Sequence, residues 1–297
     1  MTEKMYWVYT MTPLHVGAGK GVGFIDIPIM REKVTKWPVV PGSAVKGVMR
    51  DHFRFYGDKN QKNNIAIAFG QGQSGEDARA GDARAGSLVF TDARIVCLPV
   101  RSLYGTFAYV TSPMVLERLK KDLKASGAIN IPSLDTSPAN EEAFHTTGSA
   151  IVSEKRIFFE DLDFRASQSD SADSWAGLLA QSIFGEDPEW CDLFKKRFAI
   201  LSDDCFNFLS MTGTEVAAHI KIDDNKKIVA KGALWYEESL PIETILAGLV
   251  WCDRIPGRDN SVRDSLLRCY CCNTLNLQIG GKATVGKGRI QCLFSGG

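Results

Sequence analysis

The chain has 297 residues and carries 35 Lys plus Arg against 35 Asp plus Glu, so no whole-protein positive field exists to draw in nucleic acid, and any polyanion site must be a local patch. The length suits one large domain or two small ones and leaves the core unrestricted. No apolar run approaches the roughly 18 residues of a membrane span, the first residues enter a strand pattern with no charged-then-apolar leader, and eight cysteines are too sparse for a disulfide framework; the expectation is a cytoplasmic protein with reduced core thiols.

Residues 5–11 alternate and are rich in Trp, Tyr and Val, which predicts a half-buried strand. In the loop that follows, Gly17, Gly19, Gly21 and Gly23 fall at every second position. That spacing lets backbone approach a ligand closely, but it lacks the G-x-G-x-x-G register and no helix pattern follows, which argues against a dinucleotide-binding turn. Val45, Val48, Met49, His52, Phe53 and Tyr56 recur at helical spacing behind Pro41-Gly42-Ser43, so a helix is predicted with Ser43 as its N-cap. Its first turn aims N–H groups and the positive dipole end at whatever lies above Gly42 and Ser43, with Lys46 and Arg50 one and two turns in. The two cations are either phosphate contacts or the solvated face of the helix.

Residues 71–85 are polar, glycine-rich and nearly repeat Asp-Ala-Arg-Ala-Gly, which predicts a mobile loop. Strands are predicted over 86–98 and 107–111, then a helix from Ser112-Pro113 that stops before Gly127; residues 128–150 carry little periodic signal. Helical patterns cover 174–184 and 189–196, and 197–201 reads as a strand. Two β-patterned arms, 216–222 and 227–236, flank Asp223-Asp224-Asn225-Lys226 as a hairpin. It is either a surface excursion or an arm that reaches a partner, with Trp235 and Tyr236 as anchors. Helices over 241–251 and 261–272 and strands over 275–279 and 289–294 complete the chain.

Residues 281–288 imitate a phosphate-binding P-loop, but Gly288 stands where a Ser or Thr should follow Lys287, and the next residues alternate as a strand. This argues against a nucleotide triphosphatase; a plain hairpin turn would explain two glycines, whereas Gly280, Gly281, Gly286 and Gly288, with Lys282, Lys287 and Arg289, better suit a backbone clamp on phosphates. Cys269 and Cys272 form a C-x-x-C without a second ligand pair at metal spacing, which favours a core role. His15 on its glycine turn is either a loop histidine with a satisfied hydrogen bond or an acid/base group. Asp26, between Phe24-Ile25 and Ile27-Pro28, is either a turn-forming residue or an exposed catalytic carboxylate, and the local pattern favours the turn.

His15-x-Gly17-x-Gly19, Ile25-Asp26-x-Pro28-x-x-Arg31-Glu32, Pro38-x-x-Pro41-Gly42-Ser43-x-x-Lys46-Gly47-x-x-Arg50, Gly86-Ser87-Leu88-x-Phe90-x-Asp92-Ala93 and the run from Pro99 to Val110 together resemble the RAMP superfamily. More narrowly, they resemble the repeated backbone subunit of the type III-B CRISPR effector, the Cmr complex. Residues 232–241 and the terminal glycine loop extend the similarity over nearly the whole chain. The resemblance implies one RAMP domain over 1–297, with insertions at 71–85 and at a thumb hairpin of about 214–238. It implies an α+β fold with a ferredoxin-like, RNA-recognition-motif-like core of β-α-β-β-α-β order, for which the strand at Met5, the helix at Ser43, strands at Ser87 and near Arg197, the helix at Ser261 and the strand at Arg289 supply a skeleton.

By the same resemblance the partners are a CRISPR guide RNA, a paired single-stranded target RNA, further copies of the chain in a filament and other Cmr subunits, with no membrane. The activity implied is endoribonucleolytic cleavage of the target at regular intervals with a divalent metal ion, magnesium, in antiviral defence. Asp26 maps onto the cleavage aspartate and metal contact, with His15 as acid or base. Lys46 maps onto a guide-phosphate contact, and Arg50, Ser43, Gly42, Arg31, Gly281, Lys282, Gly286, Lys287 and Gly288 are the accompanying RNA-binding candidates. One carboxylate suffices in principle, because RNA brings its own nucleophile in the 2′-hydroxyl. Ala283, where an acidic residue is expected, and the long 71–85 loop depart from the pattern. A non-cleaving structural subunit and a stand-alone guide-processing endoribonuclease remain as alternatives.

Overall fold

A computed structural model describes residues 3–19, 21, 25–71, 84–222, 229–253, 255 and 260–295. In chain order the strands are β1 (Glu3–Thr10), β2 (Val39–Val40), β3 (Gly70–Gln71), β4 (Arg84–Ala85), β5 (Leu88–Phe90), β6 (Ala93–Arg101), β7 (Phe107–Thr111), β8 (Glu142–His145), β9 (Arg156–Phe159), β10 (Leu162–Gln168), β11 (Phe198–Ile200), β12 (Glu215–Ile222), β13 (Val229–Ser239), β14 (Ile245–Cys252), β15 (Leu275–Gln278) and β16 (Arg289–Ser295). The helices are α1 (Gly42–Tyr56), α2 (Lys59–Phe69), α3 (Pro113–Ala125), α4 (Asp170–Phe184), α5 (Pro188–Arg197), α6 (Asp203–Thr212) and α7 (Asn260–Tyr270).

The alternation in β1 sends Tyr6 and Val8 into one hydrophobic cluster and Met5 and Trp7 into another, so the strand is buried on both faces. Val45, Met49 and Phe53 of α1, Phe69 of α2 and Leu266 of α7 cover the first face; Leu119 of α3, Trp175 of α4 and Phe194 of α5 cover the second. The sheet between them runs β15-β16-β1-β14-β6-β7-β11-β8-β10-β9, with β2 on β6 and β5 on β14. β1 is antiparallel to both β14 and β16, Trp7 lying opposite Ala247 on one side and Leu293 on the other.

β14 corrects the helix predicted over 241–251. Ile245 to Leu249 form an unbroken apolar run, and such a run has the same pattern in a strand buried on both faces as in a buried helix. Its place beside β1 also displaces the strand near Arg197 from the predicted skeleton, since β11 pairs instead with β7 and β8. The cap of α1 differs too. Pro41 is its N-cap, and the Gly42 N–H donates to Asp92 Oδ1 at 2.9 Å, so the capping carboxylate comes from across the sheet. A Cβ on Gly42 would lie 2.3 Å from Phe90 O, which is why glycine starts this helix.

The eight cysteines are all unpaired, five of them buried. No helix among the described residues is long and apolar enough to cross a membrane. Most of the predicted 71–85 loop and the hairpin tip lie outside the described residues; β3 and β4 pair at the two ends of the former.

Candidate nucleic-acid interface

β13 enters the body of the protein at residues 236–240, and three segments close on it there. Leu14 and Leu240 exchange backbone hydrogen bonds of 2.9 and 2.8 Å. The Asp26 and Ile27 N–H groups donate to Tyr236 O at 3.2 and 3.1 Å, and Glu238 N–H returns a bond to Ile27 O at 3.0 Å. Gly281 N–H donates to His15 O at 2.9 Å and Gly288 N–H to Pro13 O at 2.8 Å, which hangs the glycine loop on the His15 segment. His15, Asp26 and the glycine loop, separate in sequence, thus meet at the root of one hairpin.

Asp26 is exposed, and its Oδ2 accepts the Tyr236 N–H at 2.8 Å. One oxygen thus anchors backbone, as the turn reading expects, and the other has no hydrogen-bond partner among the described residues, as the catalytic reading requires. No group of three or more His, Cys, Asp and Glu side chains gathers among those residues. A lone exposed carboxylate fits a divalent cation held mainly by water and phosphate oxygens.

His15 is buried, with Nδ1 2.6 Å from Glu238 O. A carbonyl only accepts, so Nδ1 carries the proton and Nε2 is the basic nitrogen. Nε2 faces Gly17, where an added Cβ would approach it to 3.0 Å. The satisfied-histidine reading holds for one nitrogen and leaves the other available.

Glu237 and Glu238, which sequence reasoning did not single out, sit beside these residues and face opposite sides of β13. Glu237 is fully buried; Lys287 Nζ donates to its Oε1 at 2.8 Å and to Ser239 Oγ at 2.9 Å, while Lys282 Nζ forms an ion pair with Oε2 at 3.2 Å. Burial pushes this carboxyl up, but the two lysines outweigh it and hold the group below its ordinary value. Glu238 accepts Arg31 Nη2 at 2.5 Å, Thr214 Oγ1 at 2.9 Å and the Ile29 N–H at 3.0 Å. Arg31 also donates to Lys36 O and Ser210 O.

These contacts bear on the expected phosphate clamp. The charges of Arg31, Lys282 and Lys287 are each matched by a buried glutamate, and Gly281, Gly286 and Gly288 direct their N–H groups to backbone carbonyls of the chain itself. The loop clasps the hairpin root, where phosphate donors were expected. Lys282 alone of the three cations keeps appreciable exposure, 37% of its side chain. The only sequence signal for this network is two consecutive acidic residues in a strand otherwise rich in apolar and aromatic residues.

On α1, Ser43 is exposed on the first turn and Gly42 is buried. Lys46 is half-buried and donates to Leu88 O at 2.6 Å, and desolvation pulls its ammonium below the ordinary lysine value. Arg50 is 43% exposed beside Asp51 at 3.5 Å. These residues form a patch on the face of α1, with no contact to the hairpin-root network among the described residues.

Beyond its root the hairpin β12–β13 forms a two-stranded sheet of its own, and its described part exposes Ile220, Ile222, Leu234 and Tyr236. Ile220 lies opposite Leu234, with a bulge between Ile220 and Ile222. At its base Trp235 stacks on His219, with centroids 5.7 Å apart and planes 19° from parallel, and Lys282 Nζ lies 5.9 Å from the indole centre. An arm with an exposed aliphatic pair, outside the main sheet among the described residues, can wedge against another surface.

The family model described as the RAMP superfamily matches residues 7–291. The CRISPR system Cmr endoribonuclease Cmr4 of Pyrococcus furiosus is 36% identical over 298 residues, spanning 98% of this chain and 95% of the relative. The crystal structure of oligomeric Cmr4 from Pyrococcus furiosus is similar with a TM-score of 0.74 and 28% identity, covering 100% of this chain and 99% of that one. A chain in the cryo-EM structure of the type III-B Cmr-beta bound to cognate target RNA shares the fold, with a TM-score of 0.71 and 19% identity over 99% and 97% of the two chains.

Proposed function

The chain belongs to the RAMP superfamily, as a backbone subunit of the type III-B CRISPR Cmr effector complex, and on that premise we propose that it binds guide RNA as a filament and cleaves the paired target RNA. The observation that carries the cleavage reading is Asp26: an exposed carboxylate fixed through Tyr236 to the root of a hairpin that stands free of its own sheet. The oligomeric crystal form of a relative 28% identical supports self-association over a stand-alone guide-processing enzyme.

The neighbours of β1 support a ferredoxin-like core in which β1, α1, β6, β14, α7 and β16 give the β-α-β-β-α-β order, with β16 and β14 flanking β1 and β6 beyond β14. The hairpin β12–β13, inserted before β14, is then the thumb. Its exposed Ile220 and Leu234 turn a target nucleotide out of the duplex, and unstacking of that kind requires a wedge because it costs a few kcal/mol.

Cleavage follows from geometry more than from many groups. A target strand kinked over the hairpin root presents its 2′-hydroxyl for in-line attack on the adjacent phosphorus, which forms a 2′,3′-cyclic phosphate as the P–O5′ bond breaks and the 5′-oxygen leaves, protonated by water. The free oxygen of Asp26, its orientation fixed by the Tyr236 N–H bond, either takes the hydroxyl proton or helps place the metal. His15 Nε2 is the second acid/base candidate, held in one tautomer by Glu238 O. A divalent cation at Asp26 would neutralise charge developing on the phosphate. Lys46 and Arg50 contact guide phosphates from α1, and Lys282 does so from the rim of the glycine loop.

A cleavage assay on the assembled complex with Asp26→Asn tests the reading. Loss of product with guide and target binding retained is the expected result; unchanged cleavage removes Asp26 from the chemistry and leaves the structural-subunit alternative.

A further inference from the structure

Two surfaces are complementary, one at the β15 edge of the sheet and one beside β7 and β11 in its middle. The last turn of α1 exposes Phe55 and Tyr56, 67% and 81% accessible, with the Arg54 guanidinium 6.0 Å from the Phe55 ring centre. This aromatic and basic knob stands next to β15, the first strand of the sheet, whose Leu277 and Gln278 line the hollow beside it. A groove of about 450 Å³ lies farther along the sheet, lined by Val34, Trp37, Met114 and Met211 and edged by Asp203 and Asp204. Met114 begins α3, directly after β7, and the two aspartates begin α6, directly after β11. Val34 is 91% exposed and Met114 and Met211 nearly half exposed. Lys36, also on the lip, leaves the charge of the edge negative.

We infer that the knob of one copy seats in the groove of the next, so that the chain associates head to tail. This inference rests on the reading of the chain as a filament subunit and specifies the surfaces that build it. From β15 to β7 is five strand spacings along the sheet, roughly 24 Å at about 4.8 Å each, so one copy cannot close its own knob on its own groove. A contact between two different patches is heterologous, and repetition of it yields a ring or an open filament. Tyr56 and Phe55 fill the apolar floor, and Arg54 meets Asp203 and Asp204. Asp203 Oδ1 already receives the Met114 N–H at 2.9 Å, which leaves Asp204, exposed and held among the described residues only by a 3.5 Å contact from Asn140, as the principal partner of Arg54. RNA is the weaker occupant of the knob, because the C-terminal end of a helix carries the negative end of its dipole and repels phosphate.

The test uses the full chain with Tyr56→Asp, which disables the knob, and Val34→Asp, which disables the groove. Both positions are exposed, so circular dichroism and melting are expected to match the wild type. In sedimentation velocity the wild type forms species that grow with concentration, and each variant alone stays monomeric. A 1:1 mixture of the two variants stops at dimer, because each supplies the half that the other lacks. A wild type that stays monomeric, a variant that assembles as the wild type does, or a mixture without dimer overturns the inference. Tyr56→Asp that assembles normally but loses RNA would assign the knob to RNA. Guide-RNA binding by the wild type is followed separately, so failure of the RNA reading is distinguishable from failure of the contact.

Discussion

Asp26 and Tyr236 exchange hydrogen bonds across 210 positions of sequence: the Tyr236 N–H donates to Asp26 Oδ2 at 2.8 Å and the Asp26 N–H donates to Tyr236 O at 3.2 Å. The carboxylate is therefore both a fastener and the proposed reactive group, and substitutions separate the two roles. Asp26→Asn keeps an oxygen to accept the Tyr236 N–H and removes the charge. Target cleavage is expected to fall by roughly 100-fold or more, the usual range for a lost acid/base group, with guide and target affinity unchanged. Asp26→Ala also loses the anchor, and a lower melting temperature for Ala than for Asn is the sign that the hairpin root has loosened. Equal cleavage rates for wild type and Asn on product gels would contradict the assignment.

Arg31 was a candidate RNA contact, and its geometry gives a different expectation. Its guanidinium is 14% exposed and bonded to Glu238, which is 3% exposed. Removing one partner of a buried pair leaves an uncompensated charge and costs about 3–5 kcal/mol. Arg31→Ala is expected to lower the unfolding free energy by that order in urea titrations, while the salt dependence of guide binding at matched folded fraction stays as in the wild type. Lys46→Ala should do the reverse, sparing stability and flattening the salt slope by about one unit.

The contrast between Arg31 and Lys46 shows what was legible in the sequence. Local pattern reveals α1, α3, β1, β7 and the hairpin, because their periodicity and turn residues lie within a few positions of one another. β14 was not legible as a strand, since Ile245 to Leu249 are apolar on every side. The helix α2 carried a signal in Asp58 and Gln61, which form a capping box, but its weak amphipathicity hid it. Asp26 and His15 stood out by family pattern. That Lys282, Lys287 and Arg31 neutralise Glu237 and Glu238 depends on pairings 45 to 207 positions apart, and no local window contains them.

Glu237 makes the stability of the hairpin root depend on pH with a defined sign. Burial raises its carboxyl and Lys287 and Lys282 lower it further than burial raises it. A carboxyl depressed in the folded state contributes stability above its unfolded pKa, and the contribution is lost as pH falls through the folded value. Lys287→Met removes the first of the opposing contacts, so the melting temperatures of wild type and variant should differ most above about pH 5 and converge toward about pH 3. A difference independent of pH would show that Lys287 acts through packing of its methylene chain alone.

Gly280 and Gly286 both adopt positive φ, +82° and +85°, yet their surroundings differ. A Cβ on Gly280 would lie 2.2 Å from His15 O, whereas nothing lies within 4 Å of one on Gly286. Gly286→Ala carries only the left-handed conformational penalty of roughly 1–2 kcal/mol. Gly280→Ala adds a clash with the backbone that positions His15, and it should melt lower and cleave more slowly than Gly286→Ala. Similar melting and cleavage for the two would separate the glycine loop from the placement of His15.

The hairpin supplies the last expectation. Ile220 and Leu234 face each other on β12 and β13, 50% and 54% exposed, and no other strand covers them. Half-exposed residues outside the core can be made charged with little loss of stability, usually within about 0.5 kcal/mol. Ile220→Asp with Leu234→Asp should therefore leave melting and guide binding near wild type. A charged arm, however, repels the phosphate backbone and no longer offers an apolar wedge to an unstacked base, so the target is held without the kink that aligns its 2′-hydroxyl. The product ladder from a long end-labelled target is expected to become faint and irregular in spacing. Replacing residues 222–228 by a short Gly-Ser turn should act in the same direction by shortening the arm. Regular products at normal rates from both variants would show that this hairpin does not turn out the nucleotide, and the role would pass to the 71–85 insertion.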